Sequence, residues 1–347
     1  MDFLLRQAPP LLWEARERLA AFLGTEPKRL VFTANVSAAI NIVAAGLRLT
    51  TPGEILMSDR EYGSMQWTWE RAARRQGLAV RFFKLPLMPR HAGDIVDAVR
   101  AAMTRRTRLL LFSHVLSATG LVLPAKELCD LARRHGVLTM IDGAHAPAMI
   151  PVSIDDLGCD FYGGNCHKWL LAPIGSGFFA LGRNAVDRLE PLQVSWGYHY
   201  DRARADERDD AGSTPRLRSL EFEGTRDPCA WLAVPDAIDF QARLGWDAVR
   251  RRIRFLVDRV RERFDDLGGL RLTTPADPSL SGAMTAFWWP AGPDDEWLRQ
   301  QLWARRIEAL INKWPEGNTL RISTHFYTTQ AELGQLADAI PRIADGP

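Results

Sequence analysis

The 347-residue sequence is poor in several features that would mark particular protein classes. Cysteine is sparse: Cys129, Cys159, Cys166 and Cys229 stand apart without a Cys-x-x-Cys pair. That scatter offers no metal framework, and a chain of this size is stable without disulfides, so reduced thiols are expected. Charge of one sign is absent too. Lys plus Arg against Asp plus Glu is 44 − 42 = +2, which provides no field to draw nucleic acid or an anionic membrane. Long apolar runs are missing as well. Arg6, Glu14, Arg16 and Glu17 interrupt the N-terminal apolar residues, which excludes a signal-peptide core, and no stretch approaches the length of a bilayer span. A cytoplasmic protein with a small-molecule partner is the expectation. What is present is globular: 46% apolar and 25% charged residues, no repeat, and a length that predicts about two domains at roughly 150 residues each.

Leu11 to Leu23 carries apolar residues at helical spacing, and Gly24 stands where a left-handed cap would sit. Arg29 to Phe32 reads as a strand, and Thr33-Ala34-Asn35-Val36-Ser37 leads into a helical stretch from Ala38 to Ala45. The alternation continues with strands at Ile55 to Ser58, Ala79 to Lys84, Arg108 to Ser113 and Val137 to Asp142. Helices are expected between them at Ser64 to Gln76, Asp94 to Met103 and Pro124 to His135. This pattern predicts an α/β protein with a mostly parallel sheet covered by helices, in which ligands collect at the carboxyl ends of the strands. Asp201 to Arg218, mixed in charge with Gly and Pro, reads as an exposed loop. From Trp231 to Phe264 the pattern is helical, and later strands at Leu270 to Thr273, Ala283 to Trp289 and Leu320 to Ser323 interleave with helices around Trp297 to Arg305 and Gln330 to Ile343. The expected division is a large domain over 1–244 and a smaller C-terminal α+β domain over 245–347, with the N-terminal helix a candidate to pack on the latter.

The chemistry concentrates in Tyr162-Gly-Gly-Asn165-Cys166-His167-Lys168-Trp169, preceded by Asp142-Gly-Ala-His145. A lysine in so apolar a setting is a poor surface residue, because a buried ammonium is costly unless paired or neutralised. An imine-forming role suits it. Pyridoxal phosphate would add three demands: an acid for the pyridine nitrogen, donors for the phosphate and a flat group over the ring. Asp142, ending an apolar strand, is either that acid or a helix cap. His145 could bond the ring oxygen, pack on the ring or serve only the fold. The Asn35-Val36-Ser37 turn is an anion site by type but also an ordinary helix start. His167 and Asn165 could add donors beside Lys168, and Tyr62 stands either for stacking or for packing.

These blocks resemble the class V aminotransferase-like group of pyridoxal-phosphate enzymes with fold type I, and within it the isopenicillin N epimerase-like family. Gly164 to Trp169 followed by Ala172 to Gly177, Ser113 to Gly120, Glu223 to Asp227 and Leu320 to Ser323 carry the likeness. The resemblance implies that Lys168 forms the imine and acts as catalytic base, with Asp142 on the pyridine nitrogen and Tyr62 stacked on the ring. It sets Ser117 and His145 near the ring oxygen, and Val36, Ser37, Asn165 and His167 in the phosphate cradle. Thr225 would reach the phosphate of a partner subunit, which implies a homodimer with shared active sites. Arg321 would receive the substrate carboxylate of an amino acid. Epimerisation, carbon–sulfur or other elimination, transamination and a non-catalytic scaffold remain as outcomes. Members of the family begin with a further segment lining the substrate entrance, whereas this sequence starts close to the first helix. No cysteine follows Cys229, which argues against a desulfurase mechanism, and Cys166 reads as a packing residue.

Overall fold

Helix α1 runs over Ala8–Phe22 and buries Ala15, Leu19 and Ala20, the face set by helical spacing; Gly24, at φ +61°, turns the chain out of it. The computed structural model describes residues 1–289, 294–315 and 317–344; the last residues of the expected small domain, 345–347, lie outside them. Beyond α1 the chain alternates: strand β1 (Leu30–Thr33), helix α2 (Val36–Gly46), strand β2 (Glu54–Ser58), helix α3 (Gly63–Gln76) and strand β3 (Ala79–Phe83). Strands β4 (Thr107–Ser113), β5 (Leu138–Gly143), β6 (Phe161–Asn165) and β7 (Gly177–Leu181) complete the larger sheet.

Its order is β1-β7-β6-β5-β4-β2-β3. Pairings from β3 through β6 are parallel, and β7 runs antiparallel to both neighbours. The carboxyl ends of β1, β2, β4, β5 and β6 therefore share one edge, where ligands bind in sheets of this kind. Strands β4 and β5 are buried along almost their whole length, as expected where helices cover both faces. Ile40 and Val43 of α2 and the fully buried Trp69 of α3 pack with Ile55, Leu109 and Met140 from three strands.

This compact unit comprises Met1–Lys84, Val96–His114 and Ala125–Arg243; a second comprises Leu85–Ile95, Val115–Pro124 and Leu244–Pro347. The second has its own antiparallel sheet in the order β10-β11-β9-β8, formed by β8 (Arg271–Leu272), β9 (Met284–Trp289), β10 (Leu310–Trp314) and β11 (Gly317–Ser323). Its core joins Leu256 and Phe264 of the helix Trp246–Phe264 to Phe287 and Leu320. No helix among the described residues is long and apolar enough to cross a membrane.

One expectation is corrected. The segment from Asp201 to Arg218 is not a solvated loop throughout: Ser213 and Thr214 are buried, and a helix begins at Pro215. Ser213 Oγ donates to the buried Glu221, and Thr214 caps the helix. Arg216 pairs with Asp206 and Asp187. The mixed charges that look like a solvated face in sequence neutralise one another locally.

Candidate active site

The site begins where β5 and β6 end side by side. Asp142 pairs in register with Gly163 and Gly143 with Gly164, so the turns leaving both strands emerge at the same edge. Glycine is required here by space: a Cβ on Gly143 would stand 2.3 Å from the Tyr162 ring, and one on Gly164 2.4 Å from Phe178. Asp142 is buried. Its Oδ1 accepts from Ala144 N at 2.9 Å, and its carbonyl accepts from His114 N at 2.8 Å. Burial raises the carboxyl above the ordinary aspartate range, and the Ala144 hydrogen bond and the Lys168 charge partly offset it. Such a carboxylate is stabilised by a cationic partner.

Lys168 lies in the loop after β6, its Nζ 3.1 Å from His145 Nε2. The neighbouring Trp169 donates from its indole Nε1 to His145 Nδ1 at 3.2 Å, while its carbonyl accepts from Gln241 at 2.8 Å. Both ring nitrogens of His145 are thus engaged by consecutive residues. The loop itself is tied by Cys166 N to Ser176 O and Ala172 N to Cys166 O. Cys166 is fully buried, and burial pushes its thiol well above the ordinary range, so the packing role stands and a thiolate nucleophile there is disfavoured.

At the N-terminus of α2, Asn35 caps by accepting from Ala38 N, and Val36 N donates to Asn165 Oδ1 at 2.9 Å. Val36, Ser37 and Asn165 are therefore one cluster, with the Val36 N–H already held by Asn165. His167 Nδ1 is buried and has no hydrogen-bond partner; desolvation holds its ring below the ordinary histidine range. Tyr62 is exposed at the start of α3, and Thr225 is exposed after the helix Pro215–Glu221. Ser117 and Arg321 belong to the second unit, where Arg321 Nη1 donates to the carbonyl and hydroxyl oxygens of Ser117. Burial pushes the Arg321 guanidinium down to about 10, and its Nε is buried without a partner.

Sequence reading overlooked Glu61. Its buried carboxyl accepts from Ser58 Oγ of β2 and Ser113 Oγ of β4, and it feels the charge of Asp142. Trp169 ends the Gly164 to Trp169 block, but its hydrogen bond to His145 carries no signal in the sequence.

A family model described as aminotransferase class-V matches residues 4–336. The chain belongs to the aminotransferase class-V family. Among relatives of this class V aminotransferase family member is the isopenicillin N epimerase of Amycolatopsis lactamdurans, 55% identical over 99% of this chain and 88% of that protein. That of Streptomyces clavuligerus is 53% identical over 99% of this chain and 87% of that protein. Among solved structures, the apo cysteine desulfurase of Thermococcus onnurineus NA1 superposes with a TM-score of 0.83 at 22% identity, covering 98% of this chain and 85% of that one; it establishes the shared fold alone.

The residues fit the family's coenzyme, pyridoxal phosphate. A buried carboxylate that favours a cationic neighbour suits a pyridinium, a lysine amine lies in the same cluster, and an orphaned histidine nitrogen and a helix N-terminus suit a phosphate.

Proposed function

We propose that this chain is a pyridoxal-phosphate-dependent epimerase that inverts an amine-bearing α-carbon of isopenicillin N or a close analogue. The observation that carries the proposal is the 55% identity to an isopenicillin N epimerase along 99% of the chain, together with the Lys168, His145 and Asp142 cluster expected for the chemistry.

Lys168 would hold the coenzyme, Asp142 its pyridine nitrogen, and Ser37, Asn165 and His167 its phosphate, with Tyr62 over the ring. When bound, the coenzyme supplies an electron sink that acidifies the substrate Cα–H bond. Lys168 Nζ would serve as the base that takes this proton, and inversion requires a proton to return to the opposite face of the α-carbon. Asp142 would pair with the ring nitrogen and keep it protonated. Arg321 would receive the substrate carboxylate, a task that suits its planar fork of donors. Thr225 would reach the phosphate bound by a partner subunit, so the working form would be a homodimer.

Incubation with isopenicillin N in heavy water tests the reading. Solvent deuterium at Cα with inverted configuration is expected, and Lys168→Ala should abolish the exchange. Formation of a keto acid and ammonia would instead identify an eliminating lyase and refute the epimerase assignment. Borohydride reduction of the holoenzyme followed by peptide mapping should place the coenzyme on Lys168, one of five lysines in the chain.

A further inference from the structure

Arg321 stands within β11, in register with Ala286 of β9 and Leu310 of β10, so strands on both sides fix its backbone. Its Nη1 carries two N–H bonds, and Ser117 supplies two acceptors for them, its carbonyl oxygen and its hydroxyl oxygen, the latter at 3.2 Å. Nη1 is thereby fully engaged. A guanidinium offers a carboxylate two parallel pairs of N–H bonds, the end formed by both Nη atoms and the side formed by Nε and Nη2. Engagement of Nη1 closes the end. The side stays open, because Nε is buried with no hydrogen-bond partner among the described residues. Burial is the one influence that lowers the Arg321 guanidinium, to about 10, so it remains a cation at neutral pH. A buried cation with an idle N–H is stabilised by an anion that supplies the missing acceptors.

Ser117 is itself held firmly. The turn that carries it closes through Leu116 N to Leu121 O and Gly120 N to Leu116 O, both 2.9 Å, and Val122 N donates to Leu280 O at 3.0 Å. Thr274 Oγ1 donates to Thr119 O. Gly120, at φ +72°, lies so close to β9 that a Cβ would stand 2.5 Å from Met284 O. The turn and the strand that bears Arg321 belong to the same compact unit.

We propose that Ser117 is a positioning residue that fixes Arg321 through Nη1, so that the Nε–Nη2 side of the guanidinium is the edge that takes the carboxylate of an α-amino acid. The inference rests on the reading of Arg321 as the group that receives the substrate carboxylate. It gives Ser117 a task other than the ring-oxygen contact that the resemblance implies. Two parallel N–H bonds hold a planar carboxylate in one orientation, and with it the bonds at the adjoining α-carbon.

Glycine and glycinamide separate the carboxylate from the rest of the ligand, and each is titrated into the holoenzyme by the change in coenzyme absorbance. Wild type should bind glycine more tightly than glycinamide. Ser117→Ala should narrow that gap by about fivefold, for loss of one hydrogen bond to the guanidinium, through weaker binding of glycine with glycinamide unchanged. Equal weakening of both ligands, as expected of a residue that serves the ring oxygen or the fold alone, overturns the proposal. So does an unchanged gap. The edge is read on protein labelled with 15N-arginine, with Arg321→Lys assigning the resonance: acetate added to the apoprotein should move the Arg321 Nε–H signal downfield, whereas a carboxylate bound at the end would leave it in place and refute the geometry. Equal affinities of glycine and glycinamide in wild type would instead remove the carboxylate reading of Arg321 itself, so the two failures are distinguishable.

Discussion

Replacing Glu61 with glutamine should change how stability depends on pH in a direction fixed by burial. Removal from water is the largest influence on the Glu61 carboxyl; hydrogen bonds from Ser113 and Ser58 oppose it and the Asp142 charge adds to it, and the result is a rise from 4.5 to about 7. Between those values the folded chain keeps a proton that the unfolded chain releases. Raising the pH therefore destabilises the fold: the contribution is intact below about pH 4.5 and lost by about pH 7. At about 1.36 kcal/mol per pH unit, the interval corresponds to about 3 kcal/mol. Glutamine does not titrate, yet its amide can accept from one serine and donate to the other. Melting of the apoprotein across pH 5 to 8, compared between wild type and Glu61→Gln, reads this carboxyl together with its coupling to Asp142, because the remaining titrating groups are common to both. The variant should gain on wild type by about 3 kcal/mol over that range, or of the order of 5 °C in Tm. Parallel curves for the two proteins would refute the reasoning and mean that the carboxyl is already ionised, or solvated, at acid pH.

Two further perturbations probe the frame of the site. Glu221→Gln breaks a buried pair in which Arg16 Nη2 lies 2.8 Å from Glu221 Oε1 and the other carboxyl oxygen accepts from Phe32 N at 2.8 Å. It leaves the Arg16 guanidinium buried without its counter-charge, so chemical denaturation should show a loss of about 3–5 kcal/mol. Gly143→Ala places a methyl 2.3 Å from the Tyr162 ring, which cannot yield easily because Tyr162 is fully buried and its hydroxyl is held by His114 Nδ1 at 3.0 Å. Overpacking should cost at least about 1–3 kcal/mol and, since Asp142 is the preceding residue, lower the retained coenzyme measured by absorbance. Unchanged stability and coenzyme content would show that the sheet absorbs the methyl.

The parts of the molecule that sequence revealed and the parts it concealed differ in the range of the interactions that make them. Strands β1 to β5 were legible because each is an apolar run between helical repeats, and the Lys168 and Asp142 segments because a strand end followed by Gly-rich polar residues is a local pattern. Strands β6 and β7 were not. Phe161–Asn165 contains two glycines, which weaken any strand signal, and β7 enters antiparallel between β1 and β6, a placement set by pairing with residues far away in the chain. The same distance hid Glu61: its two hydroxyl partners stand at the ends of β2 and β4, neighbours only because the sheet order makes them so. It also hid Ser213, whose burial depends on a carboxylate that pairs with Arg16 near the other end of the unit. Residues that touch the chemistry were therefore recognisable by type and spacing, whereas those that hold them in place, Glu61 and Trp169 above all, become visible only when the strand ends are assembled. Substitution of Glu61 should alter the protonation of the site more than its shape, which is why glutamine there, close in size to the carboxyl it replaces and able to keep both serine hydrogen bonds, is the informative change.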